Sequence, residues 1–222
     1  MHASPDKAAT KFQAHILEAG FPCLGAKSAL RRGQLEQIVA GDLRCGRHDA
    51  AILDALVDFS RRHDRDSVFF SCVVLFPGTP LLDEPCFEAA LWDRLAALHR
   101  LDASQHAWDP RVSSDPSSPN FSMSLGGHAF YVVGMHPGAS RQARCFETAA
   151  LVFNPHSQFE TLRANGRYDA LRDTVASRDL AFAGSRNPML AAHGSASAAR
   201  QYSGRAVAPD WACPFQTSKS QQ

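Results

Sequence analysis

The feature that most constrains this chain is the glycine pair at 126–127. An apolar run lies on each side of it, FSMSL before and HAFYVVGM after. Two glycines between such runs are the signature of a tight β-hairpin, because the favoured two-residue turns need positive φ at both central positions. Strands are therefore expected over 120–125 and 129–135. A third, over 148–153 (TAALVF), gives way to a helix at Asn154-Pro155. The run SVFFSCVVLF at 67–76 supplies a fourth. Both of its faces are apolar, which places it in the centre of a sheet.

Helical spacing accounts for most of the remainder. Residues 5–19 read as a helix with Ser4 as N-cap, Pro5 in its first turn and a stripe of Phe12, Ile16 and Ala19. Residues 48–62 carry Ile52, Leu53, Leu56 and Phe59 on one face. Residues 84–101, capped by Asp83, are expected to bury Phe87, Leu91, Leu95, Leu98 and Leu101, with Trp92 and His99 at the core edge. From an Asn154 N-cap, with Pro155 at the first position, a last helix buries Phe159, Leu162, Tyr168, Leu171 and Val175. It has an irregularity at Asn165-Gly166. The expected fold is α+β: a single domain over 1–222, with a mainly antiparallel sheet of about four strands covered by helices. Beyond residue 180 the periodicity fails. A tail rich in Gly, Ser, Ala and Pro is expected to wrap the core, anchored by Tyr202, Trp211 and Phe215, and to become disordered over 216–222.

Composition removes several classes of function. A formal net charge of +1 carries no basic stripe for nucleic acid. No apolar run reaches membrane-spanning length. The first residues lack the basic-then-apolar pattern of a signal peptide. Six scattered cysteines with no CxxC point to a reducing cytoplasm. Ten histidines are many for 222 residues, and histidine is the commonest metal-ligating side chain. GxSxG, P-loop, GxGxxG and HExxH motifs are all missing, so hydrolase, kinase and dinucleotide readings lack support.

The candidate site residues sit where apolar runs stop. His136 ends FYVVGMHP and His156 follows ALVFNP. Each is either a histidine packing against the end of its strand or a side chain that leaves the core there, and two such ends on adjacent strands would bring both imidazoles to one site. His156 falls in the first turn of a helix, where the dipole disfavours imidazolium and so favours the ligating neutral ring. His136 precedes Pro137 and is held extended. Arg141 and Arg144, in a loop opened by Gly138, Ala139 and Ser140, suit carboxylates through paired hydrogen bonds. Lys27, Arg31 and Arg32 are either a solvated helix face or a carboxylate clamp. Cys23 is either buried or a thiolate ligand. The loop over 103–119, with His106, Trp108 and Arg111, reads either as a lid or binding loop or, at its Ser-Pro-rich end, as disordered.

Four stretches carry a resemblance: FPCLGAKSALRRGQL, GGHAFYVVGMHPGASRQARCF, LVFNPHSQFETLR and RQYSGRAVAPDWACPF. Together they resemble the YqcI/YcgG family over roughly residues 20–215. Members include haem-dependent N-hydroxylases acting on guanidine groups. The resemblance implies a haem b cofactor. It also implies a small-molecule amine or guanidine substrate, and an electron donor or peroxide as co-reactant. The residues on matching motifs are His136 and Arg141; Asn154, His156 and Gln158; and Tyr202, Arg205, Trp211 and Cys213. His136 and Arg141 are the catalytic candidates, and His156, His136, Arg141, Asn154, Tyr202 and Arg205 the cofactor-binding ones, together with Arg144 from the loop. His156 is the first choice of iron ligand, then His136, then Cys213, whose thiolate would push electron density toward oxygen cleavage.

Three functions stay open on the sequence. The first is a haem-dependent monooxygenase that hydroxylates nitrogen, with Glu160 or Asp115 as acceptor for a guanidinium. The second is a non-catalytic haem-binding, sensing or electron-transfer module, for which both histidines would fill the axial positions. The third is a non-haem metal enzyme using His136, His156 and a carboxylate. Oligomeric state is open, a homodimer included.

Overall fold

The structure is a computed structural model that describes residues 5–63, 68–190 and 194–217. Ser4, residue 67 of the expected first strand and most of the expected disordered tail lie outside the described residues. The chain opens with α1 (Pro5–Leu17) and α2 (Leu24–Arg31). β1 (Leu35–Val39) follows, then α3 (Asp49–Arg62) crosses over to β2 (Ser71–Phe76). Next come α4 (Glu84–Asp102), β3 (Met123–Leu125), β4 (His128–Met135) and β5 (Ala149–Pro155). Two consecutive helices, α5 (His156–Ala164) and α6 (Tyr168–Ala183), and a short α7 (Ala199–Tyr202) complete it.

Five strands form one sheet in the order β1-β2-β5-β4-β3. β1 lies parallel to β2 and every other pair is antiparallel. The four expected strands are present, and all six residues of β2 are buried, as a central strand requires. The β3–β4 turn is built by Gly126 and Gly127, at φ 63° and 74°. β1 is the strand that the sequence reading missed. Its sequence LEQIV carries two polar residues, and as an edge strand it is only half-buried.

Strand alternation gives the sheet two different faces. On one, Cys72, Val74, Phe76, Leu151, Phe153, Phe130 and Val132 pack against α3 and α4. β4 comes closest at Gly134, where a Cβ would stand 2.8–2.9 Å from Phe87, Leu91 and the Tyr202 carbonyl. The tail closes this face. Tyr202 is buried, its Oη donating to the Phe130 carbonyl at 3.0 Å and accepting from the Met123 N–H at 3.1 Å. Phe215 packs on Trp92 and His99. On the opposite face Val73, Leu75, Met135 and Ala150 pack against α1 through Ala8, Phe12 and Ile16.

Two helix boundaries differ from expectation for clear reasons. Asn154 does not cap α5. It belongs to β5 opposite Tyr131, and Pro155 occupies the N-cap position without a side-chain cap bond. The irregularity at Asn165-Gly166 is a complete break, with Gly166 at φ 66°. It turns one expected helix into α5 and α6, and α6 buries none of its residues, so Tyr168, Leu171 and Val175 are not core. Among the described residues, no helix is long and apolar enough to cross a membrane.

Candidate functional site

The cover stands away from the sheet under α6. Between them lies a cavity of about 710 Å³, inside the range of roughly 300–1,000 Å³ typical of small-molecule sites. Its floor is the second sheet face, at Ser71, Tyr131, Val133, Val152 and Asn154. Phe12 and Ile16 of α1 form one wall, with Cys23 at the start of α2. His156 and Phe159 of α5 form another, and Leu171 and Val175 of α6 the roof.

The polar floor is internally satisfied. Ser71 Oγ donates to Asn154 Oδ1 at 2.7 Å, and Asn154 Nδ2 donates to the Tyr131 carbonyl at 3.2 Å. Tyr131 Oη donates to Gln201 Oε1 at 2.8 Å, and burial pushes its phenol pKa up. Gln158 has a structural task. Its Oε1 accepts the Phe69 N–H at 3.0 Å and its Nε2 donates to the Phe70 carbonyl at 3.1 Å. Phe69 is the one non-glycine described residue in the left-handed region, at φ 65°, a conformation costing about 1–3 kcal/mol. The Gln158 clamp holds that turn and sets the Phe69 ring in the cavity wall. The Arg32 guanidinium lies 5.5 Å from the ring centre. Lys27 donates to the Glu18 carbonyl at 2.5 Å, so it ties α2 to the end of α1 and does not clamp a ligand.

The two histidines do not meet. β4 and β5 are antiparallel, with Met135 opposite Ala150 and Phe130 opposite Pro155. Their C-terminal ends therefore lie at opposite ends of the sheet, about 20 Å apart at ~3.3 Å per residue. The expectation of one site with both imidazoles is corrected on this ground. It took neighbouring strands to end together, which holds only for parallel pairs. His136 is 2% exposed, stacked on Phe87 with ring centres 4.1 Å apart. Burial holds its pKa below the ordinary value. It lies outside the cavity lining, and its role is packing. The two-histidine haem and non-haem arrangements both lose their geometry. Among the described residues, no group of three or more His, Cys, Asp or Glu is placed to hold a metal ion.

His156 does line the cavity, from the first turn of α5. Its Nδ1 is 3.6 Å from Glu160 Oε1, an ion-pair distance and too long for a hydrogen bond. Glu160 Oε2 accepts from Arg111 Nη1 at 3.1 Å, and Arg111 also pairs with buried Asp109. The long polar loop thus reaches the site through Arg111. Asp115 accepts from Ser117 within that loop, and it is not part of the lining.

Arg141 and Arg144 line the cavity, yet internal partners engage both. Arg141 pairs with Asp179 of α6 through Nε and Nη2, and Nη2 also donates to the Ser185 carbonyl at 3.0 Å. Arg144 donates to the carbonyls of Gly134, Tyr202 and Gln201 at 3.0–3.3 Å, and burial lowers its pKa. It fastens the tail to β4. Tyr202 belongs to the opposite face. Arg205 pairs with Glu88 there, and Cys213 packs there with its thiol pushed up to about 12 by burial. None of these three lines the cavity. Trp211 packs at the same side, under Arg200.

Sequence reasoning passed over Asp179, Arg163 and Arg172. Arg163 had a signal: it stands seven residues after His156, two helical turns on and on the same face. Asp179 had none, because its importance comes from Arg141, 38 residues away.

Searches of curated proteins and of solved structures returned no match. The family model described as YqcI/YcgG matches residues 12–216, a span that holds the whole cavity, and the chain belongs to the YqcI/YcgG family.

Proposed function

We propose that this protein is a haem-dependent monooxygenase that hydroxylates a nitrogen of an amine or guanidine substrate, arginine-like in chemistry. One observation carries the reading: a cavity of small-molecule size whose described lining holds one imidazole, that of His156, in a chain of this family. The residues present fit a haem b. Aliphatic and aromatic side chains make up much of the walls, and one histidine at a helix start, His156, is a sufficient axial ligand. Bound there, the haem would supply a redox-active iron for oxygen or peroxide chemistry.

The remaining tasks fall to the chain's own groups. His156 would hold the iron. Leu171 and Val175 of α6, with Phe12 and Ile16 of α1, line the cavity and would shield a bound substrate from water. A cationic substrate nitrogen has two carboxylates available in the lining, Glu160 and Asp179. Asp179 Oδ1 is buried and has no hydrogen-bond partner among the described residues. The reading places the protein in a reducing cytoplasm, working on a small molecule with an external electron donor or peroxide.

The test is product analysis. Haem-loaded protein supplied with arginine, agmatine or a simple alkylamine, and with reductant and oxygen or with peroxide, should give a product heavier by one oxygen atom on nitrogen. Unchanged substrate in every combination, from protein shown to hold haem, would leave only the haem-binding module.

A further inference from the structure

Among the described residues five arginines line the cavity: Arg111, Arg141, Arg144, Arg163 and Arg172. Four have oxygen partners. Arg111 is held by Asp109 and Glu160. Arg141 is held by Asp179, and Arg144 by three backbone carbonyls. Arg172 is held by Asp169 and Asp173, each at 2.9 Å. Arg163 has no oxygen partner among the described residues. Its guanidinium lies 5.2 Å from the centre of the Tyr168 ring, where the contact is cation–π.

Two of the five guanidinium groups, those of Arg144 and Arg163, have no carboxylate at ion-pair distance among the described residues. Arg144 is spent on carbonyls, and its buried charge adds a positive field to a poorly solvated space. Arg163 keeps its fork of donors for a ligand. It also stands on the same face of α5 as His156, about 10 Å further along the helix at ~1.5 Å per residue.

We propose that Arg163 is the anion-recognising residue of this cavity and takes a carboxylate of the bound ligand. This rests on the reading of the cavity as a haem and substrate site, and it transfers to Arg163 the task that the sequence suggested for Arg141 and Arg144. A carboxylate can reach it from either of two sources, a side chain of the cofactor or the substrate, and the chemistry of recognition is the same. A ligand joining His156 to Arg163 would span the length of α5 and lie under α6.

Two probe pairs separate the sources. Haemin is compared with haemin dimethyl ester, which lacks free carboxylates, and arginine with agmatine, which lacks only the carboxylate. Equilibrium binding of all four is measured on wild type, Arg163→Gln, Arg163→Lys and a control, Arg47→Gln, at an exposed arginine outside the cavity lining. If the cofactor supplies the anion, Arg163→Gln weakens haemin about tenfold or more, the scale of a lost charge-assisted hydrogen bond, and erases the preference for haemin over its ester. If the substrate supplies it, haemin binding is unchanged and the preference for arginine over agmatine disappears. In both cases Arg163→Lys recovers part of the loss and Arg47→Gln behaves as wild type. The proposal is overturned if Arg163→Gln keeps both preferences at their wild-type size, or if wild type shows neither. Should wild type take up no haem, the haem reading fails by itself. The arginine–agmatine pair on the haem-free protein then decides the assignment by the same criterion.

Discussion

α4 and α6 cover opposite faces of one sheet and do it in different ways. α4 has ten of its 19 residues buried, and Phe87, Leu91, Leu95 and Leu98 touch the strands beneath. α6, with 16 residues, has none buried. It carries an apolar stripe too, at Tyr168, Leu171, Val175 and Phe182. The difference lies below the helices. Under α4 the sheet presents Val74, Phe76, Leu151 and Phe153. Under α6 it presents Ser71, Tyr131 and Asn154 beside Val133 and Val152. α6 is anchored near its C-terminal end instead, by Arg178 donating to the Ala19 and Phe21 carbonyls at 3.1 Å, by the Asp179–Arg141 pair, and by Phe182 over Gly20. An apolar stripe states which side of a helix faces inward. It does not state that protein is there to meet it.

The comparison is tested most strongly by removing the same side chain from each helix. Leu95→Ala in α4 should cost roughly 2–5 kcal/mol in denaturant unfolding, as a fully buried leucine does. Leu171→Ala in α6 should cost less than about 1 kcal/mol and act on ligand affinity instead. Equal losses of stability would show that α6 is packed core. Arg144→Ala should come next, at about 2–3 kcal/mol, since it removes the guanidinium hydrogen bonds to the carbonyls of Gly134, Tyr202 and Gln201. A loss there close to zero would mean that the tail is held by Tyr202 and Phe215 alone.

The smallest effect is a pH dependence belonging to the α4 face. His99 and His136 both contact α4 or lie on it, and burial lowers both pKa values from the ordinary 6.5. Both are neutral when folded and protonate more readily when unfolded. Stability is therefore complete above the ordinary histidine value and declines as pH falls below it. His99→Leu should flatten that decline between about pH 6.5 and pH 5. An unchanged slope would remove His99 from the account.

How far the sequence reached follows from the same physics. The hairpin, the central strand and α4 were legible because each is a local pattern: paired glycines, an unbroken apolar run, an Asp83 cap with leucines at helical spacing. β1 was not, because an edge strand needs few apolar residues. His156 was legible as a cavity candidate by its local position at a helix start, and it lines the cavity. His136 was not excludable until the antiparallel register was known, since a strand end looks alike whichever way its neighbour runs. Arg141 and Arg144 were legible as cations near the site but not as engaged ones. Their partners, Asp179 and the carbonyls of the tail, are distant in sequence.

The most direct test of the account is a haem titration followed at the Soret band, on wild type, His156→Ala and His136→Leu, with helical circular dichroism as the check on folding. The account predicts a saturable Soret band in wild type, its loss or strong shift in His156→Ala with the helical signal kept, and a wild-type band in His136→Leu at reduced thermal stability. A His156→Ala protein that binds haem fully with the wild-type spectrum, while His136→Leu loses it, would contradict the cavity under α6 as the site.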